Sequence, residues 1–246
     1  MIDQIVAKRS AKKHNVRDAL YSPEQAITGR RLFNPQARRL TVIFPPWHGT
    51  EQLEGVLKKR TAKQGSSLLL YTLHDHILSD DIGTTIQSFE HIQTKVSDDV
   101  EGLQAKHGFD DIHLVGYSLG VVSLAMVAAR LRSNFRATCV VGAANLAAAV
   151  WEGIRTTGVR EGLESQGVVK SQLEDEWSSI APINNLSNFR DREVQVVISK
   201  TDRTIPYIYQ EELASGLQQS GADLTINRTS NGHVMSVVAH GLTGEF

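Results

Sequence analysis

Three residues whose side chains could act together in nucleophilic chemistry lie far apart in the sequence. Ser118 is the middle residue of Gly116-Tyr117-Ser118-Leu119-Gly120, and Asp202 and His233 follow later in the chain. A serine hydroxyl is almost un-ionised at neutral pH, so it attacks a carbonyl carbon only when a base such as imidazole takes its proton. A carboxylate can fix the imidazole tautomer and stabilise the imidazolium ion. Serine, acid and histidine, in this order, form one of the known arrangements for such chemistry.

Each of these residues follows a predicted β-strand. An apolar run at 112–115 leads into the turn that carries Ser118, and a helix-like stretch continues to Leu131. Apolar runs at 194–198 and 222–226 precede Asp202 and His233. Functional groups of a parallel sheet gather at the carboxyl ends of its strands, so we expect the three side chains to meet there.

Alternating strands and helices define the expected fold. We predict an α/β protein with a mostly parallel central sheet flanked by helices. Further strands are expected at 40–44, 67–71 and 137–142, with a short edge strand around 26–28, and helices are expected after Pro46, over 82–103 and over 207–219. Residues 1–20 could form a basic amphipathic helix. The length fits a single domain, 1–246.

The chain from about Leu40 onward resembles the α/β-hydrolase superfamily, and its GYSLG elbow is serine esterase-like. The other two motifs are the loop TDRTIP at 201–206 and the Gly-His pair at 232–233. The resemblance implies a catalytic triad of Ser118, Asp202 and His233 that cleaves a carboxylic ester through an acyl-serine intermediate. It also implies a helical lid inserted at 145–186.

An oxyanion formed during such a reaction needs two preorganised hydrogen-bond donors. The backbone N–H of Leu119, which follows the nucleophile, is the first expected donor. The second is unusual, because the strand at 40–44 runs into Pro45-Pro46-Trp47-His48-Gly49 and proline has no N–H. We predict the N–H of Trp47, with His48 or Thr50 as alternatives.

Four aromatic residues are predicted to bind substrate. Trp151 and Trp177 could wall an apolar pocket from the lid, although they could also simply pack the insert onto the body. Tyr117 and His48 are expected beside the nucleophile and the oxyanion loop.

Each predicted triad residue also has a purely structural interpretation. Ser118 could be a turn serine between strand and helix, Asp202 a turn or helix-start residue, and His233 a solvated loop histidine.

Composition excludes several classes of partner. The net charge is −1, so no nucleic acid is predicted to bind, although nine Lys or Arg residues fall within 1–39. The only cysteine, Cys139, is expected in the core, which favours a reducing, cytoplasmic location. No apolar stretch approaches 18 residues, so no membrane insertion is predicted.

No cofactor and no metal are predicted. His74-Asp75-His76 could suggest a metal site, but two histidines at alternate positions of an extended segment point in opposite directions. We favour a lining or structural role for this segment.

The expected substrate is a small or medium-sized apolar ester or acyl compound. A thioesterase, amidase, lactonase, acyltransferase or C–C bond hydrolase could use the same triad, because one fold hosts many chemistries. A catalytically idle binding protein is the alternative of another class. The sequence leaves the oligomeric state open.

Overall fold

The fold is built on one seven-stranded sheet. The computed structural model describes residues 21–244, apart from the side chains of 50–53. The strands are β1 (Ile27–Phe33), β2 (Arg39–Phe44), β3 (Ser66–Leu73), β4 (Asp111–Tyr117), β5 (Arg136–Val140), β6 (Glu193–Ser199) and β7 (Asp223–Thr229). Their order across the sheet is β1-β3-β2-β4-β5-β6-β7. All neighbours pair in parallel except β1, which is antiparallel to β3.

Eight α-helices connect the strands within the described residues. They are α1 (Thr50–Lys63), α2 (Ile82–His107), α3 (Gly120–Arg130), α4 (Leu146–Glu152), α5 (Thr157–Ser165), α6 (Lys170–Glu176), α7 (Tyr207–Gln219) and α8 (His233–Thr243). The longest, α2, begins where the Asp81 carboxylate accepts a hydrogen bond from the N–H of Thr84, and it ends at Gly108, whose φ of 62° suits glycine.

Alternation along the strands gives the sheet two buried faces. In β2, Leu40 and Val42 pack into a large core with α2 and α3. Ile43 packs into a smaller core that includes Leu57 of α1 and Val237 of α8. Helices therefore cover both faces, as buried parallel strands require. The predicted α/β class with a mostly parallel sheet is confirmed.

Two elements differ from the sequence-based expectation. Strand β1 is longer than predicted and extends to Phe33, because exposed Arg30 and Arg31 pair with β3 at the sheet edge while breaking the apolar pattern. Helix α8 was not expected, since its buried face includes Ser236 and His240 instead of large apolar side chains.

The predicted helix at 1–20 lies outside the described residues. Residues 145–186 form α4, α5 and α6 with short 3-10 turns between β5 and β6, and their role as a lid stays a prediction. None of the helices in the described chain is long and apolar enough to cross a membrane.

Candidate active site

The turn from β4 into α3 presents Ser118 at the carboxyl edge of the sheet. Ser118 has a φ of 53°, a left-handed conformation uncommon for a residue with a side chain. A Cβ at Gly120 would overlap the carbonyl oxygen of Phe44, and a Cβ at Gly116 would lie 3.0 Å from the carbonyl oxygen of Gly120. Both glycines are therefore needed for strand β4, helix α3 and the end of β2 to approach so closely.

Ser118, His233 and Asp202 form a hydrogen-bonded relay. The Nε2 atom of His233 lies 2.8 Å from Oγ of Ser118, and its Nδ1 atom lies 2.6 Å from Oδ2 of Asp202. An ionised carboxylate only accepts hydrogen bonds, so Nδ1 carries the proton and Nε2 accepts the serine hydroxyl. The three residues are 8%, 2% and 7% exposed, respectively, so little water screens their interactions.

The loop after β6 fixes the Asp202 carboxylate. Its Oδ1 accepts hydrogen bonds from the backbone N–H groups of Thr204 at 2.7 Å and Ile205 at 3.0 Å. Its Oδ2 accepts a further bond from the Gln210 side chain at 3.2 Å. Gln210 also donates to the carbonyl oxygen of Ile205 and accepts from the N–H of Ser199, so α7 holds the whole loop against β6. These donors hold the carboxylate in the orientation in which it accepts from Nδ1 of His233.

Helix α8 carries His233 at its first position. Its carboxyl end is held by α1, because the Arg60 guanidinium donates to the carbonyl oxygens of Thr243 at 2.9 Å and Gly244 at 3.3 Å. Gln64 donates to the same Gly244 oxygen at 3.1 Å. A cation and amide at the negative end of the helix dipole stabilise the helix that positions the imidazole.

The loop after β2 forms a tight turn beside the nucleophile. The N–H of Gly49 donates to the carbonyl oxygen of Pro46 at 3.1 Å, and His48 has a φ of 59°. Asp75 holds this turn from outside, because its Oδ1 lies 2.6 Å from Nδ1 of His48 and its carbonyl oxygen accepts from Nε1 of Trp47 at 2.7 Å. The Trp47 and His48 rings stack with centroids 4.4 Å apart.

The predicted oxyanion donors lie at one cavity. Leu119 and Trp47 line it together with Ser118. Gly120 packs on the carbonyl groups of Phe44 and Pro45, which brings the loop after β2 next to the start of α3. The roles of the Leu119 and Trp47 N–H groups stay a prediction.

The cavity is small and largely apolar. Its volume is about 60 Å³. Ten apolar residues and five polar residues line it: Pro46, Trp47, Leu78, Leu119, Val122, Ala143, Leu146, Ala149, Val150 and Ile205, with His48, Ser118, Arg155, Thr156 and Thr204. Such a lining favours a short apolar group next to the serine.

Comparison with solved structures gives several similar folds at low sequence identity. An acylaminoacyl peptidase from Pyrococcus horikoshii has a TM-score of 0.61 and 12% identity over 82% of this chain and 34% of that chain. An esterase from Pyrococcus furiosus has a TM-score of 0.60 and 10% identity over 85% of this chain and 78% of that chain. For a carboxylesterase from Lactobacillus plantarum, the TM-score is 0.58 and the identity 13%, over 83% and 76% of the two chains. The chain has the α/β-hydrolase fold.

Sequence comparisons add no closer relative. No protein-family model matches the chain, and no curated protein sequence matches it. The chain spans about one third of the length of the acylaminoacyl peptidase. The similarity therefore concerns the α/β-hydrolase fold and does not extend to the activities of these proteins.

Within this α/β-hydrolase fold, three predicted substrate-binding residues are not among those that line the cavity, and their role in substrate binding stays a prediction. Tyr117 is fully buried on the face of the sheet covered by α1 and α8, where its hydroxyl lies 3.0 Å from Nδ1 of His240. Trp177 is 1% exposed, and its Nε1 donates to the carbonyl oxygen of Ile82 at 3.3 Å. Half-buried Trp151 packs against the main core. Of the four predicted residues, His48 lines the cavity.

Several residues that shape this site were missed from the sequence. Ala143 and Ala149 line the cavity because small side chains leave room, and small side chains give no sequence signal. The clamping role of Asp75 was missed, although its segment was expected at this edge of the sheet. Thr204 lies within the predicted TDRTIP loop and Arg155 within the predicted lid segment at 145–186, so both could have been found by considering every residue of these two segments.

The histidines after β3 have structural contacts. The Nδ1 atom of His74 accepts the N–H of His76 at 3.1 Å, and the His74 ring lies 4.6 Å from that of Tyr21. Between residues 21 and 244 there is no cluster of three or more His, Cys, Asp or Glu side chains suited to a metal ion. A structural role for this segment agrees with these contacts.

Proposed function

We propose that this protein is a serine hydrolase that cleaves a carboxylic ester of a small or medium-sized apolar substrate. The relay of Ser118, His233 and Asp202, with hydrogen bonds of 2.8 and 2.6 Å, carries the proposal. Supporting observations are the strained elbow, the apolar cavity beside it, and the esterases among proteins of similar fold.

In the acylation step, Oγ of Ser118 attacks the ester carbonyl carbon while Nε2 of His233 takes the hydroxyl proton. The carbonyl oxygen becomes an oxyanion, which the N–H groups of Leu119 and Trp47 stabilise; each such donor is worth about 3–4 kcal/mol. The C–O bond to the alcohol then breaks as His233 donates the proton to the leaving oxygen. Acyl-Ser118 and a free alcohol are the products.

Deacylation repeats these steps with water. His233 takes a proton from a water molecule, and the resulting nucleophile attacks the acyl carbon. Collapse of the second tetrahedral intermediate returns the proton to Oγ of Ser118 and releases the carboxylic acid. Asp202 stabilises the imidazolium ion in both halves of the reaction without itself taking the proton.

The cavity next to Ser118 bears on the size of the group that the substrate places there. Its volume of about 60 Å³ and its lining of small and branched apolar side chains suit a short acyl or alcohol group. The single cysteine, Cys139, is buried, and burial raises the pKa of its thiol to about 12. A free, inert thiol is compatible with the predicted cytoplasmic location.

A fluorophosphonate probe tests the nucleophile directly. We expect the protein to be labelled at Ser118 and the Ser118→Ala variant to give no adduct. Ser123→Ala is the matched control, because Ser123 is another buried serine and lies in α3, directly after the elbow, and this variant should be labelled like the parent. Absence of an adduct under conditions that label a control esterase would refute the proposal and favour a binding protein.

A series of p-nitrophenyl esters of increasing chain length tests which acyl group the protein prefers. We expect kcat/KM to be highest for short acyl chains and to fall as the chain outgrows the cavity. Acyl thioesters of the same chain lengths run alongside, and a preference for them would reassign the enzyme as a thioesterase.

A further inference from the structure

The sequence contains a single Asn-Gly pair, and it leads directly into His233. Asn231 and Gly232 lie between β7 and α8, and His233 is the next residue. Asparagine is chemically labile before glycine, because the following backbone nitrogen can attack the carbon of the side-chain amide and glycine has no Cβ to hinder the approach. Asn231 is exposed while His233 is buried, so solvent reaches this pair at the edge of the relay.

Neither reacting group of this pair is engaged by another described residue. The backbone N–H of Asn231 donates to Oγ1 of Thr229 at 3.1 Å, and its carbonyl oxygen accepts from the Ser199 and Ser236 hydroxyls. The side-chain amide of Asn231 makes no hydrogen bond within the described chain, and neither does the N–H of Gly232. The amide carbon and the nitrogen that attacks it are therefore both available.

Two other asparagines differ from Asn231 in one of these respects. The side-chain amide of Asn188 donates to the carbonyl oxygen of Ala128 at 3.0 Å, which holds it away from its own backbone. Asn227 is exposed like Asn231, but Arg228 follows it, and the arginine side chain hinders attack by its backbone nitrogen. Asn227 is therefore a matched reference within the same molecule.

The Ser199 and Ser236 hydroxyls favour the reactive form of the Gly232 nitrogen. The peptide bond between Asn231 and Gly232 is conjugated, so a negative charge on its nitrogen is shared with the carbonyl oxygen of Asn231. Ser199 is fully buried and donates to this oxygen from β6, and Ser236 donates to it at 3.4 Å from α8. Preorganised donors stabilise such a charge, as they do in an oxyanion hole.

We propose that Asn231 is a site of spontaneous deamidation, which converts it to aspartate and isoaspartate and displaces His233. Hydroxide takes the proton of the Gly232 N–H, and the nitrogen attacks Cγ of Asn231. The bond from Cγ to the side-chain nitrogen breaks, and ammonia leaves with a proton from water, so that a succinimide ring remains. Water opens the ring at Cγ to give aspartate, or at the main-chain carbonyl carbon to give isoaspartate with a new α-carboxylate.

Isoaspartate lengthens the chain directly before His233. Its backbone runs through the former side chain, which adds one methylene group and about 1.5 Å of chain. The carbonyl group that the Ser199 and Ser236 hydroxyls hold becomes a carboxylate outside the main chain. A shift of this size is incompatible with the contacts of 2.8 Å to Ser118 and 2.6 Å to Asp202, so we expect kcat of the isoaspartate form to fall about 100-fold. This loss of activity rests on the proposed function, whereas the deamidation does not.

Ageing of the full-length protein tests the proposal. The protein is incubated in mildly alkaline buffer, mass spectrometry of its peptides follows the conversion of each amide to an acid, and an isoaspartyl methyltransferase identifies isoaspartate. We expect Asn231 to be modified faster than Asn227, and ester hydrolysis to be lost in proportion to the isoaspartate fraction. Equal rates at the two asparagines, or an isoaspartate form that stays active, would overturn the proposal.

Two variants separate the chemical step from its consequence. The φ of −68° and ψ of 172° at Gly232 are open to alanine, so Gly232→Ala should fold and should keep the Asn231 amide through the incubation. Asn231→Asp has a main chain of normal length, so its activity should start near that of the parent and persist. If Asn231→Asp were as inactive as the aged protein, the added charge would explain the loss and the displacement of His233 would be refuted.

Ser199→Ala tests the role of the two hydroxyls. Removing this donor should slow the deamidation of Asn231 about 3- to 10-fold, which corresponds to one hydrogen bond. Ser230→Ala is the matched control, because Ser230 is an exposed serine of the same loop whose hydroxyl makes no hydrogen bond to Asn231, and it should leave the rate unchanged. A rate in Ser199→Ala equal to or above that of the parent would refute this role.

The deamidation rates are read from masses and require no catalysis. If the parent protein neither hydrolyses esters nor reacts with the fluorophosphonate, the proposed function fails, while the comparison of Asn231 with Asn227 still decides the modification.

Discussion

Two histidine–aspartate pairs are connected to the cavity, one through Ser118 and the other through His48, and they have the same length but different surroundings. His233 and Asp202 lie 2.6 Å apart with side chains 3% and 0% exposed. His48 and Asp75 also lie 2.6 Å apart, but their side chains are 24% and 50% exposed. The two pairs therefore differ in burial and not in length, and only the buried pair has Ser118 as a third member.

In the buried pair, His233 also contacts Ser118. The Asp202 carboxylate accepts hydrogen bonds from backbone N–H groups, which hold it in one orientation. The exposed pair instead joins the loop after β2 to the 3-10 turn Asp75–Ile77. Water and salt weaken an exposed pair far more than a buried one. We therefore expect the buried pair, His233 and Asp202, to determine the rate of the chemical step. We expect the exposed pair, His48 and Asp75, to affect the position of the loop after β2.

Replacing Asp202 with Asn should have the largest effect. The amide oxygen can keep the bonds from Thr204 and Ile205, but the amide N–H₂ would face Nδ1 of His233 and favour the tautomer with the proton on Nε2. That imidazole cannot accept the serine proton, so we expect kcat to fall about 10³–10⁴-fold. Single-turnover kinetics with a p-nitrophenyl ester measures the change. Full activity in this variant would mean that the buried pair is only structural.

Substitution of Gly120 with Ala tests the packing contact between the start of α3, beside Ser118, and the end of β2, which leads to His48. The added Cβ would overlap the carbonyl oxygen of Phe44, so the turn that carries Ser118 and the end of β2 must move apart. Urea denaturation should show a loss of about 3 kcal/mol or more in unfolding free energy. Gly102→Ala is the control, since a Cβ there has nothing within 4 Å, and it should be neutral or stabilising. Comparable losses in both variants would contradict this account.

His240 shows how burial beside a tyrosine hydroxyl changes the pKa of a histidine. Desolvation lowers the pKa of His240 from 6.5 to about 4. The unfolded chain takes up a proton below pH 6.5 while folded His240 does so only near pH 4, so stability is lost as pH falls through this window. The loss should reach about 2–3 kcal/mol. Denaturation at pH 7 and pH 4 should show a smaller difference in His240→Gln; an unchanged difference would assign the effect elsewhere.

Replacing Asp75 with Ala should have the smallest effect. It removes the partner of His48 but keeps the backbone oxygen that accepts from Trp47. We expect kcat to fall about 3- to 10-fold with KM little changed, because the loop that carries the Trp47 N–H is less firmly held. Asp98→Ala, which removes another exposed carboxylate, should have no effect on kcat. A loss as large as that of Asp202→Asn would show that both pairs take part in the chemistry.

The relay could be predicted because its three residues each follow a strand, and parallel strands end at one edge. Ser118, Asp202 and His233 needed no more than this rule and the strain of a glycine-flanked turn. The α/β fold followed from runs of apolar residues, which buried parallel strands require on both faces. These features depend on local chain properties that a sequence displays directly.

The lining of the cavity could not be predicted in the same way. Tyr117 is next to Ser118 in sequence, but side chains alternate along β4, and that of Tyr117 lies on the face of the sheet that α1 and α8 cover. Trp177 is apolar enough to line a pocket or to pack in the core, and packing against α2 decided the outcome. The contacts of Asp75 with His48 and Trp47 join two neighbouring loops, whose geometry depends on the completed fold.

The order of the strands along the chain has a consequence for biosynthesis. Ser118 and the loop after β2 precede residue 131, whereas Asp202 and His233 follow β6 and β7. A ribosome therefore makes Ser118 and the loop after β2 well before Asp202 and His233. The proposed activity can therefore begin only after α8 has been synthesised and has docked on the sheet.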